Sequence, residues 1–371
     1  MAEQRPIDKS IQNEIVELTC QLIRFKSMHS QPEEIQRCAD FVSHYLDRHD
    51  IRHKRLSNGG VPSILVLPDE RHAPVLLMSH IDVVHGPEES FEPLLDGDKL
   101  YGRGSIDDKY AAALSLVMVK NRLEQLRVLG KDQADLPLGI LITGDEEIGG
   151  VNGARAALRD IRTDFGIALD GGNPEKIVVK AKGILKLKLI SGGRAAHGSR
   201  PWLGENAIEN LMTDYQAIKP LFPIQPDAGH WHKTMNISII RAGDSFNQVP
   251  DHAEATLDIR YTENDDVDEI INAIGGRIKG DIEVLARESG FDSGRSPYLD
   301  LLLDLAPQVK SGSEHGGSDA RYLTEFGFPG IVWGADGDMS QHMSDEHVNL
   351  GSVFDLYRIL DEFVTRATAR R

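Results

Sequence analysis

Along this chain, short continuous apolar runs alternate with stretches whose apolar residues recur every three or four positions. "APVLLM" leads to His80, "LGILIT" to an acidic triplet, "FGIAL" to Asp170, and "GIVW" lies near the C-terminus. Runs of this length without polar alternation belong to strands buried on both faces, which predicts a largely parallel sheet inside an α/β layer. The helices have their own marks. Ile11, Ile15, Leu18 and Leu22 stripe the N-terminal segment at helical spacing, and "AAALSLVMVKNRL" follows Asp107 and Asp108. "SQPEEIQRCADFVSHYL" opens with Ser30 and Glu33 at capping-box spacing and Pro32 in the first turn.

The segment 184–289 changes rhythm. "LKLKLIS" alternates Leu185, Leu187 and Leu189 with Lys186 and Lys188, the pattern of a strand with one wet face. A helical stretch, two strands, a second helical stretch and a last strand follow, giving the order β-α-β-β-α-β of a ferredoxin-like α+β sandwich. The expected organisation is a first domain made of 1–183 and 290–371, with a second domain, 184–289, inserted within it.

Composition narrows the partners. At 371 residues the chain can bury two cores, and a net charge of −17 without a basic stripe excludes a nucleic-acid partner. No apolar stretch reaches the length that spans a bilayer, and the charged N-terminus is no signal peptide. Cys20 and Cys38 both fall in helical patterns away from any candidate ligand, which points to buried thiols in a reducing compartment, the cytoplasm.

Candidate ligands gather behind the apolar runs. His80 and Asp82 follow one, Asp107 and Asp108 lie in the Gly-rich "GRGSIDD", and Asp145, Glu146 and Glu147 follow a second run. Asp170 follows a third, and His342 lies in "MSQHMSDEHV". In open α/β sheets the ligand crevice lies beyond the carboxyl ends of the strands, so these loops can converge. Two imidazoles and several carboxylates suit zinc or a similar divalent ion. A pair of ions accounts for the carboxylate surplus, with one aspartate bridging and one carboxylate left over for proton transfer. Asp82 reads as the acceptor that fixes the His80 tautomer. Asp108 reads as a solvated neighbour, and His85, His230, His232, His315 and His347 as histidines without a part in the site.

"SHIDVV", "LYGRGSIDDK", "GDEE" and "GGSDARYL", in this order, resemble the M20 family of co-catalytic dizinc peptidases and deacylases, with its glutamate carboxypeptidases, acetylornithine deacetylases, succinyl-diaminopimelate desuccinylases and tripeptidases. The resemblance spans nearly the whole chain. It implies a zinc-peptidase catalytic domain and, through "GGRAAHGSRPWLGENAI" and "SFNQVPDHAEATLDIRY", an inserted dimerisation lid. It further implies two zinc ions per subunit, with cobalt or manganese as substitutes: His80 and Asp170 on one, Glu147 and His342 on the other, Asp107 bridging. Glu146 is then the general base, and "HMSDE" matches the closing pattern through Glu346. His197 matches a lid histidine that reaches across a dimer, and Asn247 and Arg260 match substrate-contacting positions. Tyr110 stands where the family usually has a small residue.

The expected activity is hydrolysis of peptide bonds in small peptides, of the dipeptidase or aminopeptidase kind, because Asp170 is aspartate where many deacylases and carboxypeptidases have glutamate. The alternatives are an N-acyl amino-acid deacylase on the same metals and a non-catalytic metal-dependent binding protein; a spare carboxylate at Glu146 argues against the second. No G-x-S-x-G, G-x-x-x-x-G-K-[ST] or H-E-x-x-H occurs, which disfavours serine hydrolases, P-loop enzymes and helix-borne single-zinc sites.

Overall fold

The structure, a computed structural model, describes residues 7–223 and 229–368. It divides into two compact units: the first comprises 1–180, 292–313 and 318–371, the second 181–291 and 314–317.

Among the described residues of the first unit, the sheet is mixed. The strands Leu138–Thr143, His72–His80, Arg162–Ala168 and Gly330–Val332 run parallel at its centre. On one flank Val61–Val66 and Lys54–Asn58 add antiparallel strands, and on the other Lys176–Ala181 pairs antiparallel to Gly330–Val332. The parallel expectation therefore holds for the centre, where the runs are uninterrupted. The flanks carry more polar residues, and the short Asn58–Val61 connection permits only an antiparallel pair.

Burial explains the choice of residues. Val75, Leu77, Ile140, Ile142, Phe165 and Ile167 alternate onto one face of the sheet and are all inaccessible to solvent. The helices Lys9–Ile23, Pro32–Arg48, Lys109–Val128 and Leu350–Thr368 supply residues to the same core. Each such side chain contributes roughly 1.5–3 kcal/mol, so a charge at Ile140 would break the layer. Lys109–Val128 is enclosed on every side through Val119, which its apolar, alanine-rich first half permits. Pro32 starts its helix with Gln31 at the N-cap, and no side chain caps it. The Ser30 capping box does not form, because proline at the first helical position leaves Ser30 one residue too early.

In the second unit the strands order as Thr234–Ala242, His252–Tyr261, Gly183–Gly192 and Asp281–Glu288, all antiparallel. With the helices Ala207–Ile218 and Val267–Gly275 this is a ferredoxin-like arrangement. Leu185, Leu187 and Leu189 enter its core. On the opposite face Lys188 meets Glu283 at 3.2 Å and Glu254 at 3.8 Å, so the alternation in "LKLKLIS" is a true dry and wet side. Ile184 pairs with Glu288, placing the first and last strands of the unit side by side. Cys20 is half-buried, Cys38 is buried, and neither is in a disulfide. No helix among the described residues is long and apolar enough to cross a membrane.

Candidate metal centre

Strand register delivers the first ligand. His72–His80 and Leu138–Thr143 are in parallel register through His80 and Thr143, so His80 and the acidic turn leave the sheet at one edge. The His80 ring is buried. Its Nδ1 lies 3.0 Å from the Asp82 carbonyl oxygen, an atom that can only accept, so Nδ1 carries the proton and Nε2 faces Asp107 Oδ1 at 2.9 Å. The tautomer is thus fixed chiefly by the main chain of Asp82, whose carboxylate stands 3.5 Å from Nδ1.

That carboxylate has another task. Asp82 Oδ1 accepts from Glu146 N at 3.1 Å and Oδ2 from Glu147 N at 3.0 Å. The turn Glu146–Ile148 is a single 3₁₀ turn, followed by a π-helical turn, Val151–Arg155, and one short α-turn. The acidic residues therefore do not serve as the dipole partners of a long helix. Buried Asp82 satisfies the amides of both glutamates and fixes their different directions.

Asp107 is the hinge of the site. Its Oδ1 faces His80 Nε2 at 2.9 Å, and its Oδ2 faces His342 Nε2 at 3.1 Å. His342 Nε2 also stands 3.3 Å from Glu147 Oε2, and donor atoms of Asp107, Glu147 and His342 all lie within 4.8 Å of one another. The Asp107–Asp108 peptide bond is cis. His342 adopts a left-handed backbone, φ 65°.

Glu346 holds this loop. Its Oε1 accepts from Gly104 N at 2.9 Å and from Ile106 N and Asp107 N at 3.4 Å, while Oε2 pairs with Arg103. Arg103 also reaches the His342 carbonyl at 3.4 Å, so one buried ion pair ties the Asp107 loop to the His342 loop.

Asp170 follows Arg162–Ala168 and accepts from Ser318 Oγ at 3.1 Å. With His80, Glu146, Asp108, Thr143 and Asp319 it lines one small cavity. Asp108 is no solvated neighbour: it is wholly buried. The helix that begins at Lys109 is itself enclosed, which turns its N-terminal flank inward. Ser318 is a contact that residue type alone did not single out, although "GGSDARYL" contains it.

The charges resist one another. Burial pushes the carboxyls of Glu146, Asp170 and Asp108 above the ordinary range. Burial would also raise Asp107, but hydrogen bonds with His342 and His80 hold it below the carboxylate range. Hydrogen bonding to Asp107 and Glu147 pushes His342 up to about 10. Burial opposes the charged form of His80, yet Asp107 and Asp82 lift it well above its usual value.

The donors fit metal ions. Separations of 2.9–3.3 Å among His80, Asp107, His342 and Glu147 are near the edge, about 3.4 Å, of a tetrahedron with 2.0–2.2 Å bonds. Glu147 Oε1 is buried without a partner among the described residues, and each Asp107 oxygen faces the nitrogen of a different imidazole.

The remaining predicted residues lie in the second unit. Ala196–His197 pairs with Gln248–Val249, and Gly198 N donates to the Asn247 carbonyl at 2.7 Å, so the His197 and Asn247 loops are held together. Ser199 N donates to His197 Nδ1 at 3.1 Å, leaving the proton of the neutral ring on Nε2 of an exposed side chain. Asn247 is exposed. Arg260 forms a bidentate pair with Asp258, at 2.8 and 3.1 Å. Of the histidines set aside, His347 proves buried, with Nε2 2.9 Å from Asp338 Oδ2.

Two imidazoles around one carboxylate, with further carboxyls beside them, are a donor set suited to a metal-dependent hydrolase. A sequence model described as peptidase family M20/M25/M40 matches residues 76–366, and the chain belongs to that family. It is a metallopeptidase, a hydrolase of peptide bonds. A probable carboxypeptidase of Aspergillus flavus is 27% identical over 348 residues, covering 83% of this chain and 76% of that protein. A tripeptidase of Staphylococcus aureus superposes with a TM-score of 0.75 at 20% identity, covering 97% of this chain and 99% of that one. A dinuclear metal-binding peptidase of Bacillus subtilis does so at 0.63 and 14%, covering 96% and 98%.

Proposed function

We propose that this chain is a two-zinc exopeptidase of small peptides with a free amino terminus, of the dipeptidase or aminopeptidase kind. The observation that carries the two-ion reading is Asp107, whose oxygens each face a different imidazole, at 2.9 and 3.1 Å. His80 and Asp170 would hold one ion, Glu147 and His342 the other, and Asp107 both. Such ions polarise a scissile carbonyl and ease ionisation of water.

The chain's own residues do the rest. Glu146 has an amide bound by Asp82 and a carboxyl lining the cavity beside His80, so it takes the proton of the attacking water and returns it to the leaving amine. Its raised affinity for a proton, caused by burial, suits that exchange. His197, with Nε2 as donor, would stabilise the oxyanion, and Asn247 and Arg260 would contact substrate.

The reading includes a homodimer through the second unit. Its edge strand Thr234–Ala242 exposes Ile239 and Ile240, an unpaired apolar margin suited to a second copy. The free thiols of Cys20 and Cys38 favour the cytoplasm.

The preference for a free amino terminus rests on Asp170 and is supported by the tripeptidase likeness; the Aspergillus relative favours carboxypeptidase action. The deciding experiment is kcat/KM for dipeptides against their N-acetylated forms, with zinc-loaded protein. A ratio well above one is expected. A ratio well below one would replace the reading with a carboxypeptidase or deacylase, and no turnover of either set would refute small-peptide hydrolysis.

A further inference from the structure

We propose that the Tyr110 hydroxyl is a positioning group for Asp170, tying together the ends of two neighbouring strands and so setting where that carboxylate stands. The inference rests on the two-ion reading above.

Arg162–Ala168 and Gly330–Val332 run parallel and stay bonded up to Trp333 N, which donates to the Ala168 carbonyl at 2.9 Å. Beyond it the Tyr110 hydroxyl joins the two strand ends. The hydroxyl donates to the Leu169 carbonyl at 2.5 Å and accepts from Ala335 N at 2.8 Å. The ring is 1% exposed, and Tyr110 sits on the first turn of Lys109–Val128, three residues past Asp107. A helix anchored beside the bridging ligand thus reaches across to the residue immediately before another.

The surroundings leave little slack. Gly171 N donates to the Trp333 carbonyl at 3.3 Å, and a Cβ at Gly171 would stand 2.8 Å from the Trp333 main chain. Asp170 is therefore gripped through the backbone on both sides, by Tyr110 at Leu169 and by Trp333 at Gly171. Without the hydroxyl, the Leu169 carbonyl and the Ala335 amide would lose these bonds in the interior. The strand ends cannot close further, because a Cβ at Gly334 would already stand 2.7 Å from the Leu169 carbonyl, so the Leu169 peptide must turn to find another donor. That turn, one residue before Asp170, displaces its carboxylate. It leaves Glu147 and His342, which stand on the turn after Leu138–Thr143 and on the C-terminal loop, where they were.

The test is metal binding by the full chain. Cobalt(II) is titrated into stripped wild type, Tyr110→Phe, His342→Ala to assign the steps, and Tyr357→Phe as a control whose buried hydroxyl meets Asn121 instead. Visible absorption and equilibrium dialysis follow the two ions. Tyr110→Phe should weaken the step that survives in His342→Ala by about tenfold or more and leave the other within twofold. Equal weakening of both steps, no weakening of either, or the same effect from Tyr357→Phe would overturn the role of Tyr110 alone. Uptake of one ion by wild type would overturn the two-ion reading and this role with it.

Discussion

Removing the Glu346 carboxylate should cost more than removing it together with its partner. Arg103 and Glu346 are each about 3% exposed and pair in the interior, and Glu346 also accepts from Gly104 N at 2.9 Å. Glu346→Ala would leave a buried guanidinium without its counter-charge, a loss of about 3–5 kcal/mol. The Gly104 amide left without an acceptor adds about 1 kcal/mol. Glu346→Gln keeps an acceptor for that amide and should cost about 1 kcal/mol less than the alanine variant. In the double variant Arg103→Met, Glu346→Leu both charges are gone, so about 1–3 kcal/mol remains, mainly the unpaired amides. The assay is urea denaturation in chelator, so that metal binding does not mask the difference, with near- and far-UV circular dichroism checking for a single transition. Glu346→Ala within 1 kcal/mol of wild type, or a double variant as unstable as the single, would refute the reasoning and reduce Glu346 to a neighbour of the site.

Other expectations follow from the same geometry. Glu146→Ala should lose about 10²–10⁴-fold in kcat while retaining its metal by elemental analysis; near-normal turnover, or loss of the ions, would remove it as the base. Mixing and refolding His197→Ala with Glu146→Ala should restore activity to about one site in four, if His197 serves its partner's site in a twofold dimer; mixtures that stay inactive would show the site is not shared. Burial pushes the Cys38 thiol up to about 12, against about 8.5 in an unfolded chain. The folded state therefore holds this proton more tightly, so the contribution is complete below about pH 8.5 and is lost as pH rises towards 12. Stability titrated over that window should fall for wild type more than for Cys38→Ala, and alkylation of Cys38 in native protein at pH 8 should be negligible; rapid alkylation would contradict its burial.

The candidate ligands were legible because this fold spends its uninterrupted apolar runs on central strands and sets polar residues at their carboxyl ends. His80, Glu147 and Asp170 stand just past such runs, and the parallel register carries them to one edge. Direction within a turn was less legible. Asp108 follows Asp107 in a Gly-rich loop and resembles any acidic residue before a helix; its burial follows from the enclosure of Lys109–Val128, a tertiary fact. The expectation for Asp82 is a side-chain acceptor for His80, whereas the nearest atom is its backbone carbonyl, which carries no residue identity. Ser30 illustrates competition between local signals, since Pro32 fixes the helix start and displaces the cap to Gln31. Tyr110 gave no sign of its two bonds, because both partners are main-chain atoms far away in sequence. The alternation of "LKLKLIS" was the most direct reading of all, one side in the core and the other in ion pairs.

The pairing of Ile184 with Glu288 has a bearing on how such a chain can change over generations. The long segment of the second unit, 181–291, begins and ends on paired strands, so apart from the short return of 314–317 it is the equivalent of a long hairpin loop, and loop length carries only a logarithmic entropic cost. Ancestors with and without the insert could therefore share one scaffold and one set of metal ligands. The module could be exchanged or resized as a cassette while the candidate ligands of the first unit are inherited intact, provided that any part played by His197 is supplied again.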